Sequence, residues 1–229
     1  MAPTSHLPLF GGVRAWTPSD WTSSDDRVRG GASQSELTCS PSSLIAKFHG
    51  NLDINALGGA GFASQRTTGE DRTWDLSAYD GIELVIDRAD DKLYTFTIKD
   101  EILPKRPDGR ERSSVSWEFD FRASGRKTII IKWNDFRPTY RGKDEKGVEP
   151  LDLKNIKRFG IMVRSFFGEQ QGSFFLNVVS IAALRTDRYM DEPAEDGDGL
   201  INEKQIHEVF SWPARRRGWF AWLTSCLGL

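Results

Sequence analysis

The chain has 229 residues, 38% of them hydrophobic and 28% charged, enough apolar material to fold a large β domain rather than stay disordered. A formal net charge of -2 excludes the dense basic face that a dedicated nucleic-acid binder needs. The two cysteines, Cys39 and Cys226, make neither a disulfide framework nor a zinc spacing, and with no N-x-S/T sequon they favour a reducing, intracellular home.

Residues 1–12 carry no basic segment and no long apolar run, and the first arginine is Arg14. Neither a secretory signal nor a mitochondrial presequence is expected. No apolar run reaches the ~18 residues that span a bilayer. Val13 to Thr17 is a short strand candidate carrying Trp16, and residues 18–26 are polar and turn-rich. Asp25-Asp-Arg-Val-Arg-Gly-Gly-Ala-Ser33 places paired glycines after paired carboxylates. That order predicts a tight turn at Gly30 and Gly31, capped by Asp25 or Asp26 accepting backbone N–H bonds. Ser35 to Cys39 and Leu44 to His49 read as a hairpin with Leu44, Ala46 and Phe48 on one face. Gly58 to Gly61 contains a G-x-G. The segment after it reads as a strand rather than a helix, so an ordinary β connection is expected instead of a nucleotide loop.

Gly81 to Lys99 is the hub. Ile82, Leu84 and Ile86 alternate with polar or smaller residues, and so do Tyr94, Phe96 and Ile98, across the polar turn Ala89-Asp90-Asp91-Lys92. A period of two with β-branched and aromatic residues predicts two strands, here read as a hairpin. A charged, proline-bounded loop covers residues 104–112. In Ser114 to Phe121, Val115, Trp117, Phe119 and Phe121 share one face, and Ser116, Glu118 and Asp120 share a face read as solvated. Lys127 to Trp133 has isoleucines on both faces, the pattern of a central strand covered on both sides. After an excursion over residues 134–149, Leu151 to Ile156 suits one helical turn. Arg158 to Arg164 and Gly172 to Leu184 close the series. Nine or ten strands with almost no helix predict an all-β, two-sheet β-sandwich, with a jelly roll as the leading architecture.

The composition then shifts. Residues 1–185 are expected to form the sandwich and 186–212 an acidic linker with a short helix. Residues 213–229 form a basic-aromatic tail of helical spacing. Ala194 to Gln205 has the outline of a calcium loop, but Ala194 and Gln205 stand where two principal carboxylates belong, so no metal is expected. In the tail, Arg215, Arg216 and Arg217 precede Trp219 and Trp222, an arrangement suited to peripheral contact with an anionic membrane surface.

No catalytic constellation emerges. His6, His49 and His207 are scattered, and neither a G-x-S-x-G nor a His-x-x-x-His is present. Glu118 and Asp120 lie ~6.5–7 Å apart along a strand, a separation that would interest a glycosidase. The plainer reading is an outer sheet face. Trp117 and Trp133 are read as core, whereas Trp16, Trp21 and Trp74 remain candidate contact residues, for instance for sugars.

Four segments carry a resemblance. Asp25 to Ser33 is similar to the D-D-x-V-M-G-G-x-S signature of the complex I intermediate-associated protein 30 family. Asp75-Leu-Ser-Ala-Tyr-Asp-Gly-Ile82, Trp133-Asn-Asp-Phe-Arg-Pro-Thr-Tyr-Arg-Gly142 and Ile156-Lys-Arg-Phe-Gly-Ile-Met162 resemble further segments of it in the same order, over about residues 8 to 185. Arg29 stands where the family has Met. The resemblance implies a galactose-binding-like jelly roll without cofactor. It also implies kinship with chaperone-like, non-enzymatic assembly factors of mitochondrial respiratory complex I, whose partners are complex I subunits or assembly intermediates. The missing presequence leaves a cytosolic relative as the alternative. A carbohydrate-binding jelly roll and a peripheral membrane adaptor are the rival functions. The charged, glycine-bearing loops supply the candidate partner contacts: Asp25, Asp26, Arg29, Gly30 and Gly31 in one, Arg137, Tyr140 and Arg141 in the other.

Overall fold

The structure, a computed structural model, describes residues 5–39, 44–69 and 71–186. The chain divides into two units, residues 1–188 and 189–229, and every described residue belongs to the first. The calcium-loop-like segment, and the tail with Arg215, Arg216, Arg217, Trp219 and Trp222, lie outside the described residues.

In chain order the strands are β1 (Ser5–Gly11), β2 (Trp21–Ser23), β3 (Gln34–Cys39), β4 (Ala46–Leu52), β5 (Phe62–Thr67), β6 (Gly81–Ala89) and β7 (Leu93–Lys99). They continue with β8 (Ser116–Arg122), β9 (Lys127–Lys132), β10 (Arg137–Tyr140), β11 (Lys143–Asp144), β12 (Arg158–Arg164) and β13 (Gly172–Arg185). The only helical pieces among the described residues are 3-10 turns at Pro18–Asp20, Asp26–Arg29 and Trp133–Asp135. Leu151 to Ile156 makes a hydrogen-bonded turn, Asn155 N–H to Asp152 O, rather than a helical one.

Two antiparallel sheets face each other. One has six strands in the order β3-β4-β13-β6-β9, with β1 also paired to β13; the other has seven, β11-β10-β8-β7-β12-β5-β2. The alternation in β6 and β7 sends Ile82, Leu84, Ile86, Tyr94, Phe96 and Ile98 into the space between the sheets, all fully buried. They meet Phe159, Ile161 and Val163 of β12 and Leu176 and Val178 of β13 in the same core. Each such side chain contributes ~1.5–3 kcal/mol.

Several sequence expectations are corrected. The hub is not a hairpin. β6 pairs with β13 and β9 while β7 pairs with β12 and β8, so the chain crosses from one sheet to the other at Asp90–Lys92. Asp90 pins this corner: Tyr94 Oη donates to its carboxylate at 2.6 Å and Lys92 Nζ at 2.9 Å. Burial, then the Asp90 carboxylate, raises the Tyr94 hydroxyl far above its ordinary range and keeps it a donor.

The β9 strand is an edge rather than a centre, and Ile130 is 43% exposed. Lysines at both its ends discourage edge-to-edge pairing. Val13 to Thr17 forms no strand. Gly11 and Gly12 turn the chain with φ of 66° and 70°, and Trp16 is buried with Nε1 donating to Val179 O at 3.0 Å. A Cβ at Gly11 would sit 2.2 Å from that nitrogen. The strands missed in the sequence are β1, which pairs with the C-terminal half of β13, and the short β2, β10 and β11, which lie where loops were expected. Leu44 lies outside β4 and is exposed.

Trp16 and Trp21 are not contact residues. They are buried beside Phe10, Trp74 and Phe159, with Phe10–Trp21 and Trp74–Phe159 ring centroids 5.0 and 5.1 Å apart. Trp133 is half-buried, stacked on Phe136 and donating to Tyr79 O.

Candidate functional site

The paired carboxylates form a staple. Asp26 is fully buried and accepts from Ser33 N at 3.0 Å, Ser33 Oγ at 2.7 Å and Phe62 N at 3.0 Å. Asp25 accepts from Ser35 N at 3.0 Å, Ser35 Oγ at 2.6 Å and Ser64 N at 2.8 Å. Adjacent carboxylates thus bridge β3 in one sheet to β5 in the other, with every oxygen engaged. The glycines make this possible. Gly30 has φ of 84°, a conformation that other residues adopt at a cost. At Gly31 a Cβ would lie 2.2 Å from Asp26 Oδ1. Of the N–H groups that the carboxylates satisfy, that of Ser33 closes the turn itself and those of Ser35, Phe62 and Ser64 belong to strands. What the loop leaves outside is Arg27, Val28 and Arg29, all exposed. The Arg29 guanidinium lies 5.4 Å over the Phe62 ring.

The same end of the sandwich carries a second exposed group. Phe62 pairs across the ladder with Arg164, and the chain after β12 turns through Phe166 and Phe167 with φ of 47° and 60°. Bulky residues rarely hold this conformation. Ser165 O accepts from the N–H of Gly168, Glu169 and Gln170, and the Gln170 side chain bonds Leu93 N and Leu93 O, each at 2.9 Å. The pinned turn leaves Phe167 84% exposed. Nothing in the sequence pattern singles Phe167 out, since the signal is backbone strain.

The outer face of the seven-stranded sheet is not the solvated surface expected around Glu118 and Asp120. Glu118 is 4% exposed. Register explains this: Arg66, Gly160, Thr97, Glu118 and Arg137 form one row across β5, β12, β7, β8 and β10. Gly160 and Thr97 leave room for long side chains to lie along the sheet. Arg164 reaches Glu118 at 2.7 Å and Asp120 at 2.9 Å, and Arg137 reaches Asp120 at 2.8 Å.

The loop over residues 100–115 folds onto this face. Glu111 pairs with Arg66 and Arg158, each at 2.9 Å, and Lys99 Nζ donates to Ser114 O and Oγ at 3.0 Å. Burial, and secondarily the charge of Arg158, lowers the Lys99 amine to about 8 against the opposing pull of Glu111, Glu118 and Asp100. The carboxylate pair that would interest a glycosidase is therefore occupied by two arginines and by Thr95 Oγ1, which donates to Asp120 at 2.6 Å.

The remaining candidates, Arg137, Tyr140 and Arg141, lie on and beside the β10–β11 hairpin. Arg137 is engaged with Asp120. Tyr140 is 38% exposed. Arg141 has φ of 53° and Gly142 of 77°, and the pairing of Tyr140 with Lys143 makes a two-residue turn of the I′ kind. Both Tyr140 and Arg141 line an open cleft of about 550 Å³ against the 103–113 loop. The two groups of partner candidates are thus on separate surfaces.

No cluster of three or more His, Cys, Asp or Glu side chains able to hold a metal occurs among the described residues. Nor, among them, is any helix long and apolar enough to cross a membrane. Cys39 donates to Trp16 O, and burial raises its thiol, which keeps it protonated and a poor nucleophile.

Comparison with known proteins places the architecture. The profile of the complex I intermediate-associated protein 30 family matches residues 12–178. The chain belongs to this family. An uncharacterized protein of Schizosaccharomyces pombe is 45% identical over 184 residues, covering 78% of this chain and 84% of that protein. Among solved structures, the family 11 carbohydrate-binding module of a cellulosomal cellulase of Clostridium thermocellum aligns with a TM-score of 0.52 at 18% identity. The alignment covers 82% of this chain and 99% of the module. A solution structure of a module named CtCBM11 aligns with the same TM-score at 17% identity, over 82% of this chain and 99% of that one. These likenesses establish the jelly-roll fold and no more. In this member of the complex I intermediate-associated protein 30 family, the signature's Asp-Asp and Ser are structural. Its Met position, here Arg29, faces solvent together with Arg27 and Val28.

Proposed function

We propose that this protein is a non-catalytic holding protein that assists the assembly of mitochondrial respiratory complex I by binding a subunit or assembly intermediate. Membership of the complex I intermediate-associated protein 30 family across residues 12–178 carries the reading. The chemistry of the described surface supports it. The carboxylates that could act as acid and base are held in ion pairs, and the one described cysteine, half-buried, donates to a carbonyl.

The client contact we assign to the end of the sandwich formed by Val28, Arg29 and Phe167. An exposed ring on a pinned, strained turn offers a rigid apolar anchor, and an arginine beside it offers the charged contact enriched in protein interfaces. Asp25, Asp26, Gly30 and Gly31 act there by shaping the loop that presents Arg29.

A glycan-binding reading draws on the fold alone. A sugar platform needs a row of exposed flat rings. The exposed aromatic side chains among the described residues, Tyr140 and Phe167, sit on different surfaces, and the broad outer sheet face carries paired charges.

The test is capture of complex I subunits from mitochondrial extracts by wild-type protein and by an Arg29→Ala/Phe167→Ser variant. Both side chains are exposed, so the variant should keep the wild-type melting temperature and lose most of its captured clients. Full capture by the variant would remove this surface from the account.

A further inference from the structure

We propose that the cleft between the 103–113 loop and the β10–β11 hairpin is a binding site for a small phosphate ester carrying a flat ring next to its phosphate. This site is separate from the client-holding end and does not depend on that reading.

The cleft measures about 550 Å³ and is open to solvent, within the range of small-molecule sites. Three arginines line it, Arg106, Arg112 and Arg141. Arg106 and Arg112 have no carboxylate partner among the described residues. The lining carboxylate, Asp108, is taken up by its own turn, accepting from Arg110 N at 3.0 Å and lying 3.8 Å from Arg110 Nε. In a chain of net charge -2, this is a local excess of cations: three arginines against one carboxylate among the lining residues. Guanidinium forks match phosphate oxygens geometrically, and a doubly charged phosphate monoester matches the charge excess.

The walls are built rather than incidental. Glu111, next to Arg112, is tied to the sheet by Arg66 and Arg158, and Ser114 is tied by Lys99 and by its own bond to Glu101 O at 2.8 Å. On the other wall Arg141 occupies a left-handed turn position at φ 53°. Asn, Asp or Gly would hold that position with less strain. The Arg141 side chain bonds Ser113 Oγ at 3.2 Å and lies 5.4 Å over the Tyr140 ring. A turn that accepts strain in order to carry arginine, aimed across the cleft, is accounted for by an anionic ligand. The half-exposed Tyr140 ring and Leu103 supply the apolar surface for the ligand's ring.

The test is isothermal titration of the full-length protein with phenyl phosphate, with inorganic phosphate and phenol as partial ligands. Saturable one-to-one binding of phenyl phosphate is expected, tighter than either partial ligand and weakened by added salt. Arg106→Ala/Arg112→Ala should weaken it by about tenfold or more per guanidinium removed. Tyr140→Leu should cost about threefold to tenfold for phenyl phosphate and leave inorganic phosphate unchanged. Arg126→Ala, an exposed arginine outside the cleft, should bind as wild type, and all variants should melt with the wild-type protein. The proposal is overturned if wild type shows no saturable binding in the millimolar range. It is also overturned if the double variant and Arg126→Ala bind alike.

Discussion

Replacing Asp26 by alanine should remove a large part of the domain's stability, although the side chain itself is fully buried. The Asp26 carboxylate is fully buried and takes three hydrogen bonds, from Ser33 N, Ser33 Oγ and Phe62 N. The Ser33 hydroxyl has a second acceptor, Asp53 O at 3.3 Å, and can turn to it. The two backbone N–H groups cannot turn, and each buried donor left unmade costs about 1–3 kcal/mol. The loss should therefore fall near 4 kcal/mol, within a range of about 2–6, against a total of about 5–15 kcal/mol for a typical domain. Urea unfolding followed by tryptophan fluorescence should show it as a midpoint lowered by about 2 M at an m-value near 2 kcal/mol/M. Asp26→Asn keeps the shape but sets its amide N–H₂ against one N–H donor, so it should lose less, about 1–3 kcal/mol. Gly31→Ala should disturb the same staple from the other side, because its Cβ would meet Asp26 Oδ1 at 2.2 Å. A loss below about 1 kcal/mol for Asp26→Ala would refute the staple.

Arg164→Met should cost about 2–3 kcal/mol by leaving Glu118 buried without its partner, a value reduced from that of a fully buried pair because the Asp120 side is partly wet. Adding Glu118→Gln should restore part of it, and no restoration would argue against the pair. Lys99→Met should change the pH dependence of stability. The Lys99 amine lies near 8 in the folded chain, against 10.5 ordinarily, so between those values the unfolded chain binds more protons. Wild-type stability should then rise relative to the variant by up to about 3 kcal/mol across that window; parallel curves would contradict the burial of a charged amine. Trp117→Ala, emptying a core site in β8, should cost about 3–5 kcal/mol by thermal unfolding, and a loss under about 1 kcal/mol would place that strand face outward.

The alternation in β6 and β7 was enough to assign both strands and their buried faces, because a core between two sheets selects the same period whichever sheet a strand joins. For that reason it could not show that the chain changes sheet at Asp90. A hairpin and a crossing differ only in the turn, where Asp90 is held by its near neighbour Tyr94 and by Phe175 O from a distant part of the sequence. Glu118 was misread because alternation separates core from outer face and says nothing of what lies on that outer face. Arg164 and the 100–115 loop cover it, and neither is adjacent in sequence. Ile130 misled in the opposite direction, since an apolar residue on an edge strand resembles one on a central strand. The Asp25–Ser33 motif was legible as a resemblance and as a capped turn. Its role in joining two sheets was not, because the bonded N–H groups of Phe62 and Ser64 come from another strand. Phe167 was invisible in sequence, because left-handed backbone at a residue that rarely adopts it presents the ring. Tyr140, Arg141 and the charged 104–112 loop were legible singly, but not their meeting in one cleft.

The central claim is that this protein holds complex I components during assembly. Depleting it from cells and quantifying assembled complex I and its subassemblies on native gels tests that claim most directly. The account predicts a fall in complex I with accumulation of a subassembly, reversed by wild-type protein and not by the Arg29→Ala/Phe167→Ser variant. Normal levels of complex I and all its subassemblies after depletion would contradict it.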